Sequence, residues 1–334
     1  MTYHIPFIKC HGSGNQFIII DESTIPFSLR SSDRSTLAIQ LCHPSDGFNV
    51  DGVLFYQKSD GFHWDCSMRI VNADGSEAEM CGNGIRCIGR YHAELTGKTN
   101  IQIKTMKGIL FVSQMKQEVE HVPFFETDIA PVSFHPSSLP MIFSGETCLN
   151  QTLSSLSEIF TFSALSVPNP HAIAIVPQID EKELYQIGKR SNESHHLFPK
   201  GVNVSFCQIL DHQKIFVSTY ERGVGLTHSC GTGMTAATIV CCKLNYTIAN
   251  QPIHVFNKGG LVICTAINES KDSWYGKLSG NATFISKGIF IINWNDQCIT
   301  HYEIEYTYDQ EQTAYNNLTN SIVKRGNKEN QQCI

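Results

Sequence analysis

Two cysteines of this chain stand in the same chemical setting. Cys81 opens the tetrad Cys81-Gly82-Asn83-Gly84, Cys230 opens Cys230-Gly231-Thr232-Gly233, and each tetrad runs into an apolar helical pattern. The echo is longer than the tetrads: Asn72–Tyr91 reads NADGSEAEMCGNGIRCIGRY and Glu221–Val240 reads ERGVGLTHSCGTGMTAATIV. A glycine directly after the cysteine lets the backbone turn tightly and approach a ligand. The unpaired N–H groups of a helix start then form an anion site, reinforced by the helix dipole. The same field favours a thiolate, so Cys81 and Cys230 are expected to be reactive thiols of lowered pKa. A carboxylate-bearing substrate whose neighbouring carbon exchanges a proton suits such a site. A thiolate on one face of that carbon and a thiol on the other make a two-base racemase, with no metal and no cofactor such as pyridoxal. On pattern alone, two unrelated glycine turns remain the plainer alternative.

Other chemistries fit the residues less well. Gly231–Ala236 also spells G-x-G-x-x-A, but the segment before it is polar and no Asp or Glu occurs from Met234 until Glu269. A dinucleotide fingerprint needs a buried strand before it and an acid roughly 20 residues on. The 13 cysteines are odd in number and form no C-x₂₋₄-C pair, which argues against a disulfide scaffold and a zinc site. With 31 acidic against 25 basic residues the net charge is −6, unsuited to nucleic acid as the main partner. No apolar run is long enough to span a membrane and no secretory leader is visible, so the expectation is a soluble cytoplasmic protein.

The elements that must position these cysteines are mostly short strands. Branched and aromatic runs predict strands at Phe17–Asp21, Gly52–Tyr56, Ser67–Asn72, Ile101–Thr105, Gly108–Ser113, Ala172–Val176, Val202–Leu210, Lys214–Tyr220 and Gly288–Trp294. Helices are expected over Asp33–Cys42, Ile85–Leu95, Asp180–Lys189 and Thr235–Leu244. The Ser- and Pro-rich stretch Thr127–Leu156 reads as an interdomain crossing, and the polar residues 295–334 as a flexible tail, at most a docked helix.

Longer motifs arrive in order along residues 5 to 293, and with them the chain resembles the diaminopimelate epimerases. They are His11-Gly12-Ser13-Gly14-Asn15-Gln16-Phe17, the run Asn72–Cys87, Asn169-Pro170-His171, Phe198–Asn203 and Glu221–Gly233. Late P-G-G and T-G-P-A signatures are altered to Lys258-Gly259-Gly260 and Ser279-Gly280-Asn281-Ala282. The resemblance implies an α/β (α+β) fold of two pseudo-twofold-related domains. Each would be a mostly antiparallel sheet around a central helix, with the active site in the cleft between. The N-terminal domain would span 1–131, completed by a strand near 282–294, and the C-terminal domain 132–281. The implied activity is interconversion of LL- and meso-diaminopimelate toward lysine and cell-wall precursors. Cys81 and Cys230 would be the acid and base, with His171 and Glu221 setting their protonation. Amides of Gly82, Asn83, Gly231 and Thr232 would hold the reacting carboxylate. Asn15, Asn72, Asn169, Asn203, Glu221 and Arg222 would grip the distal end.

Gln16 and Gly52 depart from the family pattern, and Ser286 replaces a tyrosine that supports the family's dimer, which weakens the expectation of a homodimer. Two other functions stay open: a cofactor-independent racemase of another amino acid, such as histidine, and a non-catalytic amino-acid-binding descendant. Retention of the distal set separates the first from the leading reading, and retention of both thiols the second.

Overall fold

Alternation along the strands decides the layers. The computed structural model describes the chain except residues 46, 60–62, 80, 117–120, 194, 271–272, 297 and 330–334, and side chains only to residue 320. It divides into two units, Met1–Thr127 with Gly280–Ile334, and Asp128–Ser279. The expected boundaries lay at 131/132 and 281/282, a few residues further along.

The first unit opens with the antiparallel pair β1 (Thr2–Gly12) and β2 (Asn15–Asp21). Helix α1 (Ser31–Cys42) then crosses to β3 (Gly52–Lys58), which runs parallel to β2. Strand β4 (Cys66–Asn72) returns antiparallel to β3, and the short β5 (Glu77–Ala78) folds back on β4. Helix α2 (Gly82–Thr96) leads to β6 (Asn100–Thr105), parallel to β4, followed by antiparallel β7 (Gly108–Gln114) and β8 (Phe124–Ile129). Successive side chains of a strand face opposite sides. Ile18, Ile20, Val53 and Phe55 therefore pack with Leu37 and Leu41 of α1, while Phe17, Ile19, Leu54 and Tyr56 pack with Ile85 and Ile88 of α2.

The second unit repeats this path. After the short β9 (Gln151–Thr152) come antiparallel β10 (Thr161–Ser166) and β11 (Pro170–Ile175). Helix α3 (Glu181–Glu193) crosses to β12 (Asn203–Asp211), parallel to β11. Antiparallel β13 (Lys214–Glu221) and β14 (Gly225–Thr227) lead into α4 (Gly231–Lys243), then β15 (Pro252–Asn257) parallel to β13, β16 (Gly260–Ser270) and β17 (Ser273–Asn281). Helix α4 is buried on every side from Gly233 to Cys242, as an all-round apolar helix must be.

Two expectations are corrected. Thr127–Leu156 is no interdomain crossing: apart from Thr127 it belongs to the second unit, and Leu139, Met141, Cys148, Leu153 and Leu156 are buried in that unit's core. Nor is 295–334 a flexible tail with at most a docked helix, because a strand comes before the helix. After β18 (Thr283–Asn293), which pairs with β1, strand β19 (Cys298–Thr307) pairs antiparallel to β18 and helix α5 (Asp309–Glu329) follows. Polar composition hid a few well-placed anchors, the buried Tyr315 and Leu318 and the ion pair of Glu311 with Arg90. Among the described residues no helix is long and apolar enough to cross a membrane.

Candidate active site

Each cysteine of interest is the N-cap of a helix whose sequence begins with glycine. Cys81, in extended backbone, caps α2, and its Sγ accepts from the Gly84 N–H at 3.4 Å. Cys230, also extended, caps α4, and the Met234 N–H closes on its carbonyl at 2.9 Å. The second glycine of each tetrad is a packing requirement that the sequence reading missed. A Cβ on Gly233 would lie 2.8 Å from Thr219 Oγ1, 3.2 Å from Ser205 Oγ and 3.3 Å from Cys230 Sγ. One on Gly84 would lie 2.9 Å from Leu54 Cδ2. Only glycine brings the helix start, and with it the thiol, this close to the strands beneath.

In the first unit, Asn15 and Asn83 gather at the Cys81 thiol. Asn15 Oδ1 lies 3.9 Å from Cys81 Sγ and 3.5 Å from Asn83 Nδ2. Asn83 is held in turn by the fully buried Arg86, whose Nη2 donates to Asn83 Oδ1 at 2.9 Å and to Ser13 Oγ at 3.2 Å. Arg86 Nη1 donates to the Gly82 carbonyl at 3.0 Å. Asn72, at the end of β4, donates to Ser76 Oγ at 3.0 Å across the turn that leads to β5. The departure at residue 52 has a steric counterpart: any Cβ there would lie 2.8 Å from the Val71 carbonyl oxygen. Gln16 donates its N–H to Asp51 at 2.7 Å.

In the second unit, Cys230 Sγ lies 3.6 Å from Thr232 Oγ1, and the Glu221 carboxylate is within its reach. Glu221 is steadied by the Thr227 hydroxyl at 2.6 Å. His171 and Asn203 are register partners on β11 and β12. His171 Nε2 meets Asn169 Oδ1 at 2.9 Å, its Nδ1 is buried with no partner among the described residues, and Asn203 Oδ1 accepts from the Arg222 N–H at 3.0 Å. The exposed Arg222 donates through Nη1 to the Lys200 carbonyl at 2.9 Å.

The electrostatics reverse the expectation of acidic thiols. Burial pushes the Cys81 thiol above its usual value, although the N–H groups of Gly84 and Asn83 and the Arg86 charge pull the other way. Cys230 rises further: burial acts first, and the neighbouring Glu221 carboxylate opposes a second negative charge. Burial and then the Arg222 charge lower His171 to about 3, so this imidazole is neutral at physiological pH. The helix starts are real, but desolvation by burial outweighs them at the sulfurs.

Arg86, Ser13 and Asn281 are hydrogen-bonded supports of the Asn15–Asn83–Cys81 group to which motif reading gave no role. Asn281 is fully buried; its Oδ1 accepts from the Ser13 N–H at 2.7 Å and its Nδ2 donates to the His11 carbonyl at 3.2 Å. The available signal was a polar residue inside the altered late motif.

Comparison with known proteins adds three findings. The family model "Diaminopimelate epimerase" matches residues 7–128 and 163–284, once over each echo. The diaminopimelate epimerase of Clostridium acetobutylicum is 42% identical over 93% of this chain and 93% of its own length. That of Listeria welshimeri is 39% identical over 92% of this chain and 94% of its own. Among solved structures, the fold resembles a phenazine biosynthesis protein of the PhzF family from Bacillus anthracis. The TM-score is 0.64 at 14% identity, covering 86% of this chain and 99% of that one.

Proposed function

Because the chain belongs to the diaminopimelate epimerase family, we propose a proton-transfer reading of its two capped thiols. The protein is an isomerase that interconverts LL- and meso-diaminopimelate, a step toward lysine and cell-wall precursors. In our reading Cys81 and Cys230 are the acid and base. One enters as thiolate and removes the α-proton, and the other enters as thiol and delivers a proton to the opposite face. Each turnover therefore exchanges the protonation states of the pair. The observation that supports this most directly is the equivalence of the two sites: a cysteine N-cap, glycine next, and helix-start N–H groups within reach of the sulfur.

The substrate explains why the thiols rest as they do. Burial by itself favours the neutral thiol at both Cys81 and Cys230. The positive charge of a bound α-ammonium offsets that burial, so one thiol gives its proton to solvent and enters the reaction as the thiolate. Amides of Gly82, Asn83, Gly231 and Thr232 are assigned to the reacting carboxylate, where negative charge grows as the proton leaves. Asn15, Asn72, Asn169, Asn203, Glu221 and Arg222 are assigned to the distal ammonium and carboxylate, which amides, one acid and one guanidinium can read. Glu221 raises the cost of the Cys230 thiolate without forbidding it, and His171 is neutral. No metal or organic cofactor has a part in this scheme. We place the enzyme in the cytoplasm, whose reducing poise keeps both thiols free. Ser286 is 5% exposed, between Lys9 of β1 and Thr307 of β19, so it offers no surface to a second copy.

The test is incubation with meso-diaminopimelate in heavy water, following LL isomer and deuterium at the α-carbon. Cys81→Ala and Cys230→Ala should each abolish both signals, and the double variant should be little worse, because the thiols act as a unit. Turnover by either variant, or rapid racemisation of L-histidine with diaminopimelate inert, would refute the reading.

A further inference from the structure

The hydrogen-bond network behind Cys81 reaches a part of the chain that the proton-transfer scheme does not use, helix α5. The turn between β1 and β2 carries Ser13 and Gly14 at positive φ, 53° and 82°, and delivers Asn15 to the thiol. That turn is held from below. His11 Nδ1 accepts from the Gly14 N–H at 3.3 Å, Asn281 takes the Ser13 N–H, and Arg86 takes the Ser13 hydroxyl. The Tyr315 ring of α5 stands edge-on to the His11 imidazole at 4.4 Å, and both side chains are buried.

One turn earlier on α5, Glu311 grips Arg90 through two bonds of 2.5 and 2.6 Å. Arg90 lies one turn beyond Arg86 on α2, stacks on Phe284 at 3.8 Å and donates to the Ala282 carbonyl at 2.7 Å. Glu311 also accepts the Phe284 N–H at 3.2 Å. The helix capped by Cys81 and the turn bearing Asn15 are thus both fastened to α5, by side chains four residues apart on one face. A bidentate carboxylate–guanidinium fork and an edge-on aromatic contact are geometrically demanding.

We propose that α5 is a positioning element of the active site, in which Tyr315 and Glu311 are positioning residues that set Asn15 and Cys81 relative to each other through His11 and Arg90. This deepens, and rests on, the assignment of Cys81 as an acid–base group. Both residues act on the placement of the thiol, where errors near 1 Å cost up to about a hundredfold in rate.

The experiment uses the full chain and the variants Tyr315→Ala, Tyr315→Phe and Glu311→Gln, each first checked for a cooperative melt. Iodoacetamide labelling at one pH, mapped by peptide, gives the rate at Cys81 relative to Cys230 in the same molecule. Isotope exchange with diaminopimelate gives kcat and KM. Tyr315→Ala and Glu311→Gln should each change the Cys81-to-Cys230 labelling ratio by about threefold or more. Each should lower kcat by roughly tenfold with KM little moved. Tyr315→Phe, which keeps the ring edge, should restore both. A helix that merely stabilises the fold would lower the melt and leave the labelling ratio at the parent's value, and that result overturns the proposal. If Tyr315→Ala does not fold, Glu311→Gln decides by the same ratio. Should the parent fail to exchange the α-proton of diaminopimelate, the functional reading falls, while the labelling ratio still judges the brace.

Discussion

Cys81 and Cys230 sit on equivalent caps but hold their protons with different strength. Around Cys81, two N–H groups and the Arg86 charge counter burial; around Cys230, the Glu221 carboxylate adds to burial. Cys81 should therefore form its thiolate at lower pH than Cys230. Iodoacetamide labelling as a function of pH, read peptide by peptide, checks this, and coincident or reversed profiles would refute it. Glu221→Gln should move the Cys230 profile downward by removing the repelling charge. Gly233 carries a second prediction at this scale. Alanine there meets Thr219, Ser205 and the Cys230 sulfur at once, so Gly233→Ala should cut turnover by about a hundredfold or more. Gly231→Ala meets a flexible leucine tip, Leu278 Cδ2 at 2.9 Å, and should be milder. Equal rates for the two variants would show that the helix start relaxes freely.

At the scale of elements, the C-terminal strand and helix are the part of this chain whose structure departs most from its composition. A stop codon after Thr307 would remove Glu311, leaving the 6%-exposed Arg90 with the half-exposed Glu94 as its remaining acidic partner among the described residues. It would also remove the buried Tyr315 and Leu318. Uncovering a buried cation and two apolar side chains should cost about 3–5 kcal/mol. The expected result is a clear fall in the denaturant midpoint, with the first unit losing its near-ultraviolet signal first. An unchanged midpoint would mean that α5 contributes nothing to that unit. Helices α1 to α4, by contrast, announce themselves locally through caps, periodicity and glycine punctuation, and each is found within a few residues of its expected span.

For the molecule as a whole, buried histidines tie stability to pH. Burial, with Arg86 beside it, lowers His11 to about 4, and His171 falls to about 3; His92 and His254 shift the same way, mainly through burial. In the unfolded chain these groups titrate near 6.5. The unfolded state binds more protons below that value, so the contribution is complete above about pH 6.5 and is lost as pH falls toward the folded values. Each fully shifted histidine contributes a slope approaching ~1.4 kcal/mol per pH unit in that window. The urea midpoint should fall between pH 7 and pH 5, and His171→Gln should reduce the fall. A midpoint independent of pH over that range would contradict it.

The sequence by itself determined the paired cysteine-capped helices, the strand–helix path that precedes each, and the family to which the chain belongs. Those features are local: Cys81 and Cys230 read as caps because glycine and an apolar helical pattern follow within a few residues. What only tertiary structure decided depends on residues far apart in the chain. Ser13 meets Asn281 across 268 residues, and Arg90 meets Glu311 across 221. No periodicity marks such pairs, since each is one polar group finding another inside a core that other residues build. The direction of the thiol shifts belongs there too. A helix start can be read from spacing, but desolvation comes from everything packed around the sulfur, and in this protein it is the larger effect.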